Sequence, residues 1–201
     1  MSFFKMEHGK AAYRADFALY GTAVASLATF LFTAQPHSQR LQSLALIGLG
    51  LVVWTAIEYL LHRFVLHGIA PFKRWHEQHH ERPTALICVP TLLSASLIVA
   101  LVFLPTLAVG GLWGACALTL GVLTGYLLYG IAHHATHHWQ AEGAWLQRRK
   151  RWHALHHHDA GRLGGFGVTS AFWDHVFGSA KHRAVPARRA PDVHDRERGI
   201  Q

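Results

Sequence analysis

The chain has 201 residues, of which 51% are hydrophobic and 15% are charged, and its formal net charge is +8. The apolar residues come in long blocks, which excludes an ordinary soluble domain and indicates a membrane protein. The positive charge does not indicate nucleic-acid binding, because basic residues that flank apolar blocks are explained by membrane topology and anionic headgroups. Both cysteines lie in apolar blocks, so neither a disulfide framework nor a cysteine metal site is indicated.

The apolar blocks are long enough to cross a membrane, since the hydrocarbon core needs about 20 apolar residues per helix. They cover residues 17–34, 41–61, 85–104 and 107–132. The last two are separated at Pro105 and Gly110–Gly111, where a tight hairpin would turn. The sequence therefore predicts one all-α integral membrane domain over residues 1–201, with four transmembrane helices in two hairpins.

The orientation of these helices follows from the basic residues. Every Lys and Arg except Arg40 falls on the side that holds both termini and the segment after the second helix. The positive-inside rule assigns that side to the cytoplasm. We therefore expect a cytoplasmic helical cap over residues 62–84 and 133–180, followed by a charged tail over residues 181–201.

Histidine spacing is the strongest chemical signal in the chain, which has 18 histidines. Residues at i, i+3 and i+4 of a helix share a face, and neutral imidazole binds Zn, Fe, Cu and Ni. Each spaced set can therefore aim several imidazoles at one point, and ten residues would give five ligands to each of two ions. His62 and His67 are five residues apart, so their side chains point about 140° apart around an ideal helix. They need a helix end or a local distortion to point together. The candidate ligands are His62, His67, His76, His79, His80, His133, His137, His153, His156 and His157.

The order of these motifs resembles a known family. The stretches HRFVLH, HEQHH, YGIAHHATHH, WHALHHH and LGGFGVTSAFWDHVFGS are similar to the integral-membrane fatty acid hydroxylase superfamily, also called sterol desaturases. Within it the resemblance is closest to the catalytic domain of fatty acid (sphingolipid) 2-hydroxylases. It implies a dinuclear metal site on the same ten histidines, with His138 as an alternative ligand. Gly130 and His175 stand where such proteins typically have acidic residues.

Carboxylates near the site are candidates to accept the second ring N–H of a ligating histidine, which would fix its tautomer. Glu58 is the most distinctive, because it is an acid inside a predicted span and lies one turn before His62. The full set is Glu58, Glu77, Glu81, Asp159 and Asp174.

The resemblance implies insertion of one oxygen atom from O2 into a C–H bond of a lipid chain, at carbon 2 of a fatty acyl group. Such chemistry needs a redox metal, so iron is expected, while zinc suits the ligands but not the reaction. A separate cytochrome, ferredoxin or reductase would supply electrons, because the chain has no dinucleotide or flavin motif.

Two alternatives stay open. A sterol, carotenoid or alkyl-lipid oxidase or desaturase could use the same scaffold. A membrane metal-binding or transport protein is a different class, and it predicts ionisable groups along a path through the spans. Apart from Glu58 and the two cysteines, the predicted spans have none.

Overall fold

The computed structural model describes residues 7–158 and 164–180, and its regular elements there are helices. An isolated antiparallel bridge joins Glu7 to Ile87. The all-α prediction is therefore confirmed for the described residues. The α-helices are α1 (Lys10–Ala34), α2 (Arg40–Leu60), α3 (Phe72–Glu81), α4 (Thr91–Ile98), α5 (Leu104–His138), α6 (Ala144–His158) and α7 (Phe172–Val176). Two π-helical segments extend them, Leu61–Leu66 after α2 and Val99–Phe103 between α4 and α5.

Three continuous helical stretches in the described part of the chain are long and apolar enough to cross a membrane. They are Lys10–Ala34, His37–Leu66 and Thr91–His138, with mean hydropathy of 1.6, 2.0 and 2.5. This agrees with the prediction of a membrane protein. The third stretch contains most of the predicted third and fourth spans. Residues 85–90 are not helical, so the helix begins later than predicted.

The third stretch bends sharply at Gly111, whose φ of 66° and ψ of −176° lie outside the helical region. The Tyr20 side chain touches both arms: its hydroxyl lies 2.7 Å from Ser94 Oγ, and its ring lies 4.7 Å from the Tyr126 ring. In one straight helix, Ser94 and Tyr126 would be about 48 Å apart. The helical stretch is therefore not straight, and its bend lies at one of the two predicted glycines. Pro105 lies within the helical stretch, directly after a π-helical segment.

Helices α2 and α5 pack closely because glycines remove side chains from their crossing. A Cβ on Gly121 would collide with the backbone of α2, and Gly121 faces Gly50. Further along, Gly125 lies against the Trp54 side chain. Small residues allow this approach of two helix backbones. Gly50 contacts Gly121 and Trp54 contacts Gly125, so residue numbers rise in the same direction along both helices. The histidines at the C-terminal ends of both helices therefore lie at one end of the molecule.

Candidate metal centre

The structure brings the ten predicted histidines together in two neighbouring clusters. Each residue offers one ring nitrogen, and within a cluster these atoms all lie within 4.8 Å of one another. Five donor atoms at this separation form a pocket of the size that one ion would fill. The first cluster contains His62, His67, His76, His80 and His156, and the second contains His79, His133, His137, His153 and His157.

The first cluster depends on the π-helical segment at the end of α2. A π-helix joins residues five apart, and the His67 N–H donates to the His62 carbonyl at 3.2 Å. This is the local distortion that the i, i+5 spacing required. It turns both rings inward, so that His62 Nε2 lies 2.9 Å from His76 Nε2 and His67 Nε2 lies 3.1 Å from His156 Nε2. The wide turn is therefore part of the site.

The second cluster is built where the end of α5 meets α3 and α6. His133 Nε2 lies 3.0 Å from His79 Nε2. On the facing side, His153 Nε2 lies 2.8 Å from His137 Nε2 and 3.0 Å from His157 Nε2. The i, i+4 spacing in α5 and α6 puts each pair on one helix face, as predicted.

The three histidines of α3 do not all face the same cluster, and neither do the three of α6. This corrects the prediction that each spaced set aims at one point. In α3, His76 and His80 belong to the first cluster and His79 to the second. In α6, His156 belongs to the first and its two companions to the second. The reason is angular, because adjacent helix positions point about 100° apart. The rings of His80 and His157, one from each cluster, stack 4.2 Å apart where the clusters meet.

The arrangement fits a metal ion better than a hydrogen-bonded histidine network. His62 Nδ1 faces the Phe166 carbonyl at 2.5 Å, and His156 Nδ1 faces the Gly164 carbonyl at 3.0 Å. A carbonyl only accepts, so each Nδ1 carries the proton and each Nε2 points a lone pair into the cluster. Metal-bound histidines have this arrangement, with the second ring nitrogen donating to a backbone carbonyl.

Burial also keeps the rings neutral, as metal ligation requires. It lowers the pKa of His156 and of His79 to about 3, and the pKa of His157 to about 2, with neighbouring histidines adding to the effect in each case. Burial lowers the pKa of His67 to about 4. Imidazoles with such pKa values are unprotonated at pH 7 and have a lone pair to give.

Two buried carboxylates support the site by binding the backbone of a loop, and they do not bind the imidazole rings directly. Asp174 accepts hydrogen bonds from the N–H groups of Gly165, Phe166 and Gly167 at 2.8–3.2 Å. Glu58 accepts from the N–H groups of Val168 and Thr169 at 2.7 and 2.9 Å. These acids thus hold the N–H side of the 164–169 loop, while its carbonyls face the histidines. For Glu58 and Asp174, this backbone link takes the place of the predicted direct bond from a carboxylate to an imidazole.

The other predicted contributors lie elsewhere. Glu77 is exposed and lies 3.9 Å from Lys73 in an i, i+4 pair, and Glu81 is also exposed. Asp159 falls outside the described residues. His138 belongs to neither cluster; its ring is exposed and stacks on His134 at 4.4 Å. Its partner His134 lies 3.2 Å from the Tyr13 hydroxyl.

A cavity of about 90 Å³ reaches the histidines from among the apolar helices. At one end it is lined by His76 of the first cluster and by two histidines of the second. Its walls carry Asp16 of α1 and four tyrosines. Sequence reasoning missed Asp16 as a site residue, although an acid next to an apolar block was a usable signal. The further polar lining residues are Tyr13, Tyr20, Tyr126 and Tyr129.

A second opening reaches the clusters without sharing a lining residue with that cavity. Its floor contains His80, His137, His153 and His157. Lys150, Arg151 and His158 line the same groove, and no carboxylate is among its described lining residues. The histidines therefore line two separate openings, of which one contains a carboxylate and the other contains basic side chains.

The sequence comparison decides the family. The family model for fatty acid hydroxylase matches residues 47–179, which include all ten clustered histidines. The chain belongs to the fatty acid hydroxylase family. The resemblance seen in the histidine motifs is thereby confirmed for this fatty acid hydroxylase family member.

Its relatives include plant, animal and fungal enzymes. It is 34% identical over 156 residues to a dihydroceramide fatty acyl 2-hydroxylase of Arabidopsis thaliana, covering 72% of this chain and 64% of the relative. It is 32% identical to the fatty acid 2-hydroxylase of Rattus norvegicus, covering 72% and 41%. It is 36% identical to the ceramide very long chain fatty acid hydroxylase of Saccharomyces cerevisiae, covering 65% and 36%. The chain thus spans less than two thirds of these relatives.

A solved structure has the same fold. The visible hydroxylase domain of full-length scs7p superposes with a TM-score of 0.71 at 28% identity, covering 88% of this chain and 68% of that one. The fold of this fatty acid hydroxylase family member is therefore similar over most of its length to that of a solved hydroxylase domain.

Proposed function

We propose that the protein hydroxylates a lipid acyl chain with O2, at carbon 2 of a fatty acyl group, using two iron ions held by the ten clustered histidines. The observation that carries the proposal is the pair of five-histidine clusters at the end of an apolar cavity. The names of the relatives favour acyl hydroxylation over the sterol, carotenoid and desaturase alternatives.

The membrane arrangement belongs to this proposal. We propose four crossings, in which α1 and α2 form one hairpin and the two arms on either side of Gly111 form the other. The bend at Gly111 and the contacts of Tyr20 with both arms support the second hairpin. Both termini and the histidine clusters would then lie on the cytoplasmic side, in agreement with the distribution of Lys and Arg.

The protein's own residues do the positioning. When bound, a pair of iron ions supplies the oxidising chemistry that no side chain has. The two histidine clusters would each hold one ion, and the cavity would guide an acyl chain to them from the bilayer. Glu58 and Asp174 hold the loop whose carbonyls orient His62 and His156. Zinc would fit the same donors but would leave the protein inactive.

The basic groove is the proposed approach for the electron donor. Inserting one oxygen atom and reducing the other to water consumes two electrons and two protons, and we propose that a separate redox protein supplies the electrons. The groove brings Lys150 and Arg151 next to four clustered histidines. Such a surface attracts a redox protein with an acidic face and places it close to the metals.

Lipid mass spectrometry tests the proposed reaction. Cells that express the wild type or His156→Ala, with iron and a co-expressed electron donor, are compared for acyl chains that gain one oxygen atom. We expect the gain only with the wild type, and fragmentation should locate the hydroxyl at carbon 2. Acyl chains that lose two hydrogens instead would indicate a desaturase, and equal lipids in both cultures would contradict the proposal.

A further inference from the structure

A third opening, called the α1 groove below, lies where the start of α1 meets the end of α5. It has a volume of about 550 Å³, and its lining includes Lys10 and Arg14 of α1, His134 of α5, and Leu86 from the segment before α4. None of the ten clustered histidines lines it. The groove is therefore separate from the proposed metal positions and requires its own explanation.

The groove has two positive charges that no described carboxylate neutralises. Lys10 and Arg14 are four residues apart, so they share one face of α1, and both are exposed. Neither forms an ion pair within the described chain. The nearest acid before them, Glu7, is bound by Arg82 at 3.0 Å, and the nearest acid after them, Asp16, lines the histidine cavity instead. The groove thus suits an anion.

The wall behind these cations is fixed by packing between α1 and α5. The Tyr13 hydroxyl lies 3.2 Å from His134 Nδ1. The Phe17 ring packs edge-on against the Tyr13 ring at 5.3 Å and against the His134 ring at 6.2 Å. Phe17 and Leu86 give the same groove an apolar part. A ligand here would therefore meet two cations and an ordered apolar wall.

The groove lies where a membrane changes from hydrocarbon to headgroups. Lys10 is the first residue of the apolar helical stretch Lys10–Ala34, and Phe17 lies about 10 Å further along the helix axis. Basic pockets between membrane helices are typical sites for the headgroups of anionic lipids. Such a lipid can place its phosphate at the cations and its glycerol and first acyl carbons against Phe17 and Leu86. A free phosphate ion would make only the first of these contacts.

We propose that the α1 groove binds an anionic phospholipid of the surrounding membrane, with the lipid phosphate between Lys10 and Arg14. This lipid is a bound partner and not the substrate, because the groove contains none of the clustered histidines. Its binding depends on the membrane position of α1 and is independent of the proposed hydroxylation.

Native mass spectrometry tests this site. Purified full-length protein in a non-ionic detergent is titrated with dioleoyl phosphatidylglycerol or with dioleoyl phosphatidylcholine, and the dissociation constant of the first bound lipid is measured. We expect the wild type to bind phosphatidylglycerol about tenfold more tightly, a difference of about 1.4 kcal/mol. In Lys10→Gln/Arg14→Gln the preference should fall to about twofold or less, because both charges that face the phosphate are removed.

Lys73→Gln/Arg74→Gln is the matched control, since it removes the same net charge from exposed positions of α3 outside the groove. It should keep the wild-type preference. Millimolar inorganic phosphate should not displace phosphatidylglycerol from the wild type, and displacement would assign the groove to a free phosphate ion instead. A wild type without a preference, or an equal fall of the preference in both double variants, would overturn the inference. The readout is lipid binding, so a negative result leaves the proposed hydroxylation unaffected.

Discussion

His62 and Asp174 are joined through the backbone of a single residue. The Phe166 carbonyl faces His62 Nδ1, and the Phe166 N–H donates to Asp174 Oδ1 at 3.0 Å. Asp174 is fully buried and also accepts from Gly165 and Gly167. A carboxylate without direct contact to the cluster thereby fixes the tautomer and the orientation of a candidate ligand.

Removing this carboxylate should loosen the first cluster. Asp174→Ala leaves the N–H groups of Phe166 and Gly167 without their acceptor, whereas the Gly165 N–H keeps the Ser179 carbonyl at 3.2 Å. Each buried unpaired group costs about 1–3 kcal/mol. We expect a loss of about 3–5 kcal/mol in the free energy of unfolding, together with reduced metal content by elemental analysis. Glu77→Gln, an exposed acid-to-amide change, should alter neither quantity. Wild-type metal content in Asp174→Ala would show that the loop does not orient the histidines.

Adjacent histidines at the end of α5 should differ sharply in effect. His137 belongs to the second cluster, whereas His138 is exposed and stacks on His134. We expect His137→Ala to lose bound metal and to lower hydroxylation by more than about 100-fold, because losing a group that only supports a metal ligand already costs about 10–100-fold. His138→Ala should stay within twofold of the wild type in both measurements. The reverse order of effects would make His138 the ligand.

Single substitutions on α3 and α6 test the clusters themselves. His79→Ala and His156→Ala should each abolish hydroxylation while leaving membrane insertion unchanged, because both residues lie outside the three long apolar helical stretches. Product is measured by lipid mass spectrometry and insertion by membrane fractionation. Retained turnover in both variants would rule out the dinuclear site.

Acid should destabilise the metal-free protein. The pKa of His79 and of His156 is lowered to about 3 in the folded state, whereas an unfolded histidine titrates near 6.5. Between these values the unfolded chain binds more protons, so the free energy of unfolding decreases as the pH falls from about 7 towards 4. Thermal melting of chelator-treated protein in detergent at pH 7.5, 6.5 and 5.5 should show a progressive fall in Tm. A Tm that is constant over this range would contradict the burial of neutral rings.

Charge reversal at the basic groove should weaken binding of an electron donor. Arg151→Glu changes the groove lining, whereas Arg74→Glu makes the same change at an exposed position of α3 outside it. With an acidic [2Fe–2S] ferredoxin as donor, Arg151→Glu should raise the Kd about tenfold at low salt, and the difference should shrink as salt is added. Arg74→Glu should stay within about twofold. Equal effects of the two variants would mean that the donor binds elsewhere.

Much of the site was predictable because spacing in a helix fixes direction. A helical α5 is enough to place the i, i+4 pair His133 and His137 on one face. The i, i+5 spacing of His62 and His67 predicts a distorted helical turn. The division of the histidines of α3 and of α6 between the two clusters was not predictable. Spacing does not say which cluster each ring faces when two clusters lie side by side. The bend at Gly111 followed from the glycine pair.

The buried carboxylates show where sequence reasoning stops. An acid in an apolar block signals a function, and Glu58 was identified on that ground. Its partners, the N–H groups of Val168 and Thr169, lie about 110 residues further along the chain. That pairing depends on how an irregular loop folds over α2, and no periodic pattern encodes it.

The division of α3 and α6 between both clusters predicts cooperative filling of the two proposed metal positions. Together these helices supply three of the five histidines on either side. An ion held at one position would immobilise helices that also carry the neighbouring donors, so the second ion would need less ordering of the chain. Half-filled protein should consequently be scarce at equilibrium, and a metal titration should proceed from empty to doubly occupied molecules.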